Sequence, residues 1–232
     1  MTCSSALPRA VLSRSALTGA AAAAVEAGGR IADLRRDAWG HGVLSIAHVV
    51  SAAGALAVLV DSDDEVAALA AEGVTATVDA EPDIDSRVLY GLPDADGVLV
   101  TRPVLRLTGR VLSTKRLGAG DAVSYGYTYR ATRNTVVALV TGGYAQGIVR
   151  ALGNHAYVEV DGALRPIIGR VAMDVCVVDL QGEERPVGTE VTYFGGAGPA
   201  GPALARWSAL TGLGIGELVT VAGAHAEREW EV

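Results

Sequence analysis

The first third of the chain alternates short apolar runs with stretches that carry apolar residues at helical spacing. A glycine follows each helical stretch, and glycine readily adopts the left-handed conformation at helix C-termini. The predicted helices span residues 15–27, 43–53 and 63–71, and the predicted strands span residues 30–35, 55–60 and 74–78. Strands this short and uniformly apolar favour a parallel sheet with right-handed crossovers.

A different pattern follows the connection at residues 94–97, where short strands are separated by turn signals. One more short strand is predicted just before this connection, at residues 87–93. The strands predicted after it lie at residues 104–115, 122–129, 136–140, 156–160, 164–168, 174–180 and 190–194. Asp161-Gly162 predicts a tight hairpin, because both of its turn positions need positive φ. This series of strands predicts a β-barrel or sandwich.

The end of the chain predicts a helix over residues 202–212 and a helix or strand over residues 215–222. The whole pattern divides the chain into an α/β module, residues 1–97, and a β domain, residues 98–232. Residues 8–14 are a candidate extra strand of the β domain.

Composition and charge exclude several classes of function. The formal net charge of −7 and the scattered basic residues argue against nucleic-acid and anionic-membrane partners. No apolar run approaches the roughly 20 residues of a membrane span, and residues 20–25 are too short for a signal peptide and read better as helix. Two cysteines, Cys3 and Cys176, suggest no structural disulfide and fit a reducing cytosol. No Cys/His spacing predicts a metal site.

Three motifs in the β domain carry a specific resemblance. They are Val-Ser-Tyr-Gly-Tyr-Thr-Tyr at 123–129, Gly-Tyr-Ala-Gln-Gly at 143–147 followed by Arg150, and Gly-Arg-Val-Ala-Met-Asp at 169–174. In order and spacing they resemble the alanine racemase motifs Val-Ser/Gly-Tyr-Gly-x-x-Tyr/Phe, Gly-Tyr-Ala-Asp-Gly-x-x-Arg and Gly-Arg-x-x-Met-Asp. The resemblance implies the family's C-terminal β-barrel, with Tyr125 as a catalytic acid/base and with Met173 and Asp174 lining the substrate pocket.

The stretch Arg-Arg-Asp-Ala-Trp-Gly-His-Gly at 35–42 resembles the family's loop after the lysine that holds pyridoxal phosphate. Arg35 stands at the lysine position and Trp39 at that of a tyrosine. Arginine stays protonated at any working pH and is no nucleophile, so it cannot bond the cofactor's aldehyde. Lys115 is the only lysine of the chain, and its place on a β-domain strand favours a surface role.

The α/β module is too short for the family's eight-stranded barrel of roughly 250 residues. Tyr90-Gly91 resembles the end of the last barrel strand, yet Tyr90 is only 55 positions beyond Arg35. At roughly 30 residues per β-α-β unit, this interval predicts an open module of about four parallel strands, because barrel closure fixes strand number, tilt and shear together.

The cofactor contacts implied by the resemblance are replaced as well. The family's arginine facing the pyridine nitrogen falls on Ile84, its phosphate-binding Gly-Ile pair on Ser86-Arg87, and its C-terminal phosphate-binding tyrosine on Ala224. The sequence therefore predicts a degenerate family member that binds no cofactor and no metal and is no amino-acid racemase.

The candidate catalytic residues are Tyr125, Asp174 and Arg35, with Arg35 holding an anionic group. The candidate substrate-binding residues are Trp39, His41, Tyr144, Arg150 and Met173. Structural roles compete with each. Tyr125 and Trp39 could instead pack in the core, and Asp174 could bond the backbone of its own turn. Arg35 could form a salt bridge with Asp37 or Asp174, and His41 could be purely structural. Tyr144 and Arg150 could brace the domain interface. Cys176 is expected to be inert core.

Two classes of function remain. The first is a cofactor-independent isomerase, cyclase or lyase acting on a small molecule in a bacterial biosynthetic pathway. It is favoured because the tyrosine and Met-Asp motifs are retained while the cofactor contacts are lost. The second is a non-catalytic binding or regulatory dimer. Under both, a homodimer is expected, since the family forms head-to-tail dimers and a truncated barrel exposes apolar edges.

Overall fold

The structure is a computed structural model that describes residues 7–124 and 126–231, so Tyr125 and Cys3 lie outside the described residues. The helical segments are α1 (Arg14–Glu26), α2 (Arg35–Trp39), α3 (Val43–Ala52), α4 (Asp63–Ala71), α5 (Ser86–Tyr90), α6 (Ala203–Thr211) and α7 (Ile215–Ala224). The strands are β1 (Arg9–Ser13), β2 (Ile31–Asp33), β3 (Ala57–Leu59), β4 (Ala76–Thr77), β5 (Leu105–Leu117), β6 (Ala122–Val123), β7 (Tyr129–Arg130), β8 (Thr135–Thr141), β9 (Tyr157–Val160), β10 (Ala163–Ile168), β11 (Val175–Asp179), β12 (Glu190–Phe194) and β13 (Glu227–Glu231).

The α/β module contains a parallel sheet of order β2-β3-β4. Its parallel strands confirm the predicted open module, but the count of about four strands is wrong, since this sheet has three. The expected fourth strand, residues 87–93, forms helix α5 instead. Asp85 caps this helix by accepting from the backbone N–H of Arg87 at 2.8 Å, and Gly91 ends it with φ 64°. A side chain at Gly91 would clash with the carbonyl oxygen of Arg102, so only glycine fits there.

Residues after the sheet close the free edge of β2. One carboxylate oxygen of Asp83 accepts from the backbone N–H groups of Arg30 at 2.7 Å and Ile31 at 2.6 Å. The backbone N–H groups of Asp83 and Ile84 donate to the carbonyl of Ile31 at 3.1 Å, and the Tyr90 hydroxyl donates to the carbonyl of Asp33 at 2.9 Å. The strand edge that a full barrel would pair with another strand is therefore capped by side chains and a turn.

The β domain is a closed antiparallel barrel in which β12, β9, β10, β11, β8 and β5 form a ring. The long strand β5 makes closure possible, because its first half pairs with β12 and its second half with β8. The barrel predicted from the sequence is thus confirmed. The hairpin at Asp161-Gly162 is confirmed too, with φ of 48° and 76°.

Strand β1 pairs antiparallel with β5, and β13 adds parallel to β1. The sequence did not predict β13, and the ambiguous segment at residues 215–222 is helix α7. The strand predicted over residues 122–129 is broken into β6 and β7, with Ser124 at φ 70° and Tyr127 at φ 49° between them. One hydrophobic core runs from α1 and the parallel sheet through the barrel to α7. The division of the chain at residue 97 stays a prediction.

Within the described part of the chain, each helix falls short of the length and apolar character required to cross a bilayer.

Candidate functional site

Arg35 lies at the end of β2, where it forms a fork-to-fork ion pair with Asp33. Its Nε and Nη2 donate to the two carboxylate oxygens of Asp33 at 2.9 and 2.8 Å. Burial opposes ionisation of Asp33, but the hydrogen bonds from Arg35 outweigh it and lower the pKa of this carboxyl. The salt bridge expected to Asp37 or Asp174 is therefore made to Asp33 instead, and the guanidinium charge is already balanced.

Residues 36–39 form a left-handed turn inside α2. Arg36, Asp37, Ala38 and Trp39 all have φ between 52° and 56°. Asp37 anchors the turn, because it accepts from the backbone N–H of Val43 at 2.8 Å and forms an ion pair with Arg228 of β13. A run of non-glycine residues in this conformation is costly and requires support from its surroundings.

His41 supports the turn from inside. Its Nδ1 lies 2.9 Å from the carbonyl oxygen of Ala38, so this nitrogen carries the hydrogen and donates. The ring is fully buried and stacks on Tyr90, with centroids 4.5 Å apart. Burial lowers the pKa of His41 to about 4, so the ring is neutral at physiological pH. This environment favours the structural role of His41 over substrate binding.

The first cavity, of about 560 Å³, opens at the carboxyl ends of β2 and β3. Its walls include the Asp33–Arg35 pair, Asp61 and Glu217. Trp39 also lines it, stacks on Tyr90 at 5.5 Å, and contacts Gly216 of α7. Ligands of parallel sheets bind at this strand end, but here the wall carries more acidic than free basic groups.

The second cavity, of about 680 Å³, lies on the β domain and is lined by Tyr144, Arg150, Ala151 and residues 170–173. The Arg150 guanidinium lies over the Tyr144 ring, 4.1 Å from its centroid. Tyr144 and Arg150 also line a third cavity of about 540 Å³ beside α7, which shares Glu217 with the first cavity. The third cavity therefore adjoins both of the others, the first along α7 and the second at Tyr144 and Arg150, whereas Arg35 and Met173 line different cavities.

Asp174 is exposed beside the second cavity and is held in position by Gln146. The Gln146 amide nitrogen donates to Asp174 Oδ1 at 2.9 Å, while its amide oxygen accepts from the backbone N–H of Gly143 at 3.0 Å. Oδ2 of Asp174 meets no donor among the described residues. Sequence reasoning missed Gln146, although its departure from the family's Gly-Tyr-Ala-Asp-Gly motif was a usable signal.

The backbone brings the three β-domain motifs together. The backbone N–H groups of Tyr144 and Ala145 donate to the carbonyls of Ala172 and Met173 at 2.9 and 3.0 Å. Ser124 Oγ donates to the carbonyl of Arg170 at 2.8 Å and accepts from its N–H at 3.0 Å. Ser124 thus connects the motif at 123–129 to Arg170 in the wall of the second cavity.

The residues at the end of β2 do not fit pyridoxal phosphate. The lysine is replaced by the paired Arg35, Ile84 is buried against Gly29, and Ser86-Arg87 begin helix α5. Lys115 lies exposed on the outer part of β5 and lines none of the three cavities. No amine therefore stands where the cofactor's aldehyde would be.

Comparison with known families identifies the fold. The family model of the alanine racemase C-terminal domain matches residues 104–230, more than half of the chain. The chain belongs to the alanine racemase family. Alanine racemase from Frankia casuarinae is 39% identical over 140 residues, which cover 60% of this chain and 36% of that protein. Alanine racemase from Streptomyces coelicolor is 34% identical over 151 residues, covering 65% of this chain and 36% of the relative.

Solved alanine racemases share the fold of nearly the whole chain. The crystal structure from D-cycloserine-producing Streptomyces lavendulae matches with a TM-score of 0.83 at 18% identity, over 99% of this chain and 98% of that chain. The Streptomyces coelicolor structure matches with a TM-score of 0.78 at 20% identity, over 97% and 98%. By sequence, the matching region spans about a third of the curated relatives, 36% in each.

Proposed function

We propose that this alanine racemase family member is a cofactor-independent enzyme that moves protons on a small molecule, as an isomerase, cyclase or lyase. The supporting observation is the state of its two carboxylates. Asp33 is neutralised by Arg35, whereas Asp174 is oriented by Gln146 beside the second cavity, and its Oδ2 meets no donor among the described residues. A positioned carboxylate with a free oxygen is a suitable general base.

In this proposal Asp174 accepts a proton from the substrate through Oδ2, and Tyr125 donates a proton to another atom of the substrate. Proton removal at one atom and delivery at another is an isomerisation, and the proton balance is restored by exchange with water. The role of Tyr125 follows from the family motif around it, and Gln146 acts as a positioning residue. Arg35 stabilises the ionised Asp33 and the end of β2 rather than holding a substrate anion.

The catalytic unit is proposed to be a homodimer. The cavity of Arg35 and the cavity of Met173 are separate within one chain. A head-to-tail arrangement would bring the β domain of one copy, residues 98–232, over the α/β module of the other, residues 1–97. Met173, whose side chain is 55% exposed, would then be covered.

Solvent-exchange mass spectrometry tests the enzyme without a known substrate. The purified protein is incubated in D₂O with a metabolite extract from a strain that lacks it, and each metabolite is examined for new deuterium or a new isomer. We expect Tyr125→Phe and Asp174→Asn to reduce the rate by two orders of magnitude or more. Tyr127→Phe, on a tyrosine that is 69% exposed, is the matched control and should keep full activity. Full activity in both site variants would contradict the proposal.

The second candidate is a non-catalytic binding or regulatory dimer. It is favoured by the closed Asp33–Arg35 pair and the buried, neutral His41, because these groups at the end of β2 are already engaged in the fold. In the same experiment this candidate predicts no deuterium incorporation with the native protein, while sedimentation still reports a dimer.

A further inference from the structure

Arg150 and Arg170 are two positive charges with no acidic partner in the described part of the chain. Arg150 contacts the face of Tyr144. The guanidinium of Arg170 lies against Gly126, while only its backbone is bonded to Ser124. Both side chains line the second cavity.

Some other arginines of the same domain pair with carboxylates. Arg165 pairs with Glu183, and Arg185 pairs with both Glu183 and Asp161. Arg150 and Arg170 instead line one cavity whose described lining residues include no carboxylate, and the carboxylate of Asp174 beside it is held by Gln146. Arg35, the anion-holding group expected from the sequence, already pairs with Asp33.

The remaining walls of the second cavity are apolar. They are formed by Ala151, Val171, Ala172 and Met173, with the Tyr144 ring beside Arg150. An arginine fork matches the paired oxygens of a carboxylate or phosphate. Apolar walls accommodate the uncharged body of an organic molecule.

We propose that the second cavity binds a small organic anion, with its carboxylate or phosphate on Arg150 and Arg170 and its apolar body against Met173 and Val171. The anion-binding proposal names a class of substrate for the proposed function. It rests on that function only in calling the bound anion a substrate. Binding itself does not require turnover, so the two proposals fail separately.

Calorimetric titration of the full-length protein at low salt tests the site with four probes. Benzoate and phenyl phosphate carry an anion on an apolar ring, benzamide is the neutral counterpart of benzoate, and inorganic phosphate lacks the ring. We expect benzoate or phenyl phosphate to bind at least tenfold more tightly than benzamide, because charge-assisted hydrogen bonds are lost with the amide. The preference between the two anions distinguishes a carboxylate site from a phosphate site, and inorganic phosphate should bind more weakly than phenyl phosphate.

Single variants locate the site. Arg150→Gln and Arg170→Gln should each weaken binding about tenfold or more. Arg133→Gln removes the same charge from an exposed position of the same domain and should leave it unchanged. Tyr125→Phe and Asp174→Asn should not weaken anion binding, so lost turnover with retained binding separates catalysis from recognition.

Three results would overturn the proposal. They are benzamide binding as tightly as benzoate, an equal loss in Arg133→Gln, and the absence of binding by every probe. A fourth would replace it with another explanation. If Arg150→Gln and Arg170→Gln convert a native dimer into monomers and no anion binds, acidic groups of a second copy neutralise the two arginines, and the cavity is an interface.

Discussion

Replacing Gln146 by glutamate would place a carboxylate where an amide now donates to Asp174. Gln146→Glu changes one atom, the Nε2 that lies 2.9 Å from Asp174 Oδ1, and leaves the acceptor of the Gly143 N–H in place. At that separation two negative charges repel by about 6 kcal/mol at an effective dielectric of 20 and by about 1.4 kcal/mol in bulk water. Gln146 is buried and Asp174 is exposed, so the repulsion lies between these limits.

Protonation sets an upper limit to this cost. Holding one glutamate carboxyl protonated at pH 7 costs about 4 kcal/mol, from a reference pKa of roughly 4.3 and about 1.4 kcal/mol per pH unit. The protonated carboxyl would restore a donor to Asp174, so the pair would share one proton and titrate as a unit. We therefore expect a loss of about 2–4 kcal/mol in unfolding free energy at pH 7.

The sign of the pH dependence is opposite to that of a carboxylate in a salt bridge. Sharing one proton raises the carboxyl pKa in the folded protein above its unfolded value, so the folded variant binds more protons than the unfolded one. Relative to the native protein, the loss should be small near pH 4.5, should grow as the pH rises through the unfolded pKa, and should level off above the folded pKa.

Urea unfolding followed by tryptophan fluorescence at pH 5, 6, 7 and 8 measures this loss. Gln146→Met is the matched control, because it removes the amide without adding a charge and should lower stability equally at each pH. Equal stability of Gln146→Glu and the native protein at pH 8, or an equal loss at pH 5 and pH 8, would refute the electrostatic argument for Gln146.

Three further predictions concern other parts of the fold. Asp83→Asn should lower the thermal unfolding midpoint at neutral pH. The backbone N–H groups at the β2 edge lower the pKa of Asp83, and the substitution removes the negative charge that they stabilise. Asp79→Asn, at an exposed position, is the control. Arg35→Lys should form no borohydride-stable adduct with pyridoxal phosphate at the substituted position, as checked by mass spectrometry of its peptides. An adduct at residue 35 would contradict the conclusion that the residues at the end of β2 do not fit the cofactor. In a Cys3→Ser background, Cys176 should react with Ellman's reagent at pH 8 only after unfolding, because burial raises its thiol pKa to about 11; fast reaction of the native protein would contradict this.

The barrel strands were predictable because local pattern and tertiary environment agree there. Strand β12 was predicted with its observed ends, and the hairpin at Asp161-Gly162 follows from turn chemistry alone. Strand β13 was missed because the sequence Glu-Arg-Glu-Trp-Glu carries no apolar face. It forms through parallel pairing with β1 and through ion pairs such as Arg9–Glu229, which no local pattern reveals.

Helix α5 was mistaken for a strand because Arg-Val-Leu-Tyr fits both structures. The cap at Asp85 and the obligatory glycine at Gly91 decide between them. At the candidate site, the residue types came from the motifs, but their partners did not. The ion pair of Asp33 with Arg35 and the amide of Gln146 on Asp174 depend on side-chain directions at strand and turn ends, and hydrophobic periodicity carries no information on these.

The left-handed turn at residues 36–39 has a consequence for the order of folding. Each non-glycine residue in this conformation costs roughly 1–2 kcal/mol, so the segment is unstable by itself. Its support comes from far along the sequence, since Gly40 packs against Gly223 of α7 and Asp37 pairs with Arg228 of β13. A ribosome-bound chain therefore lacks this part of the support until residues 223–228 have been synthesised. The loop after β2 is expected to be among the last parts of the molecule to become protected from hydrogen exchange during refolding.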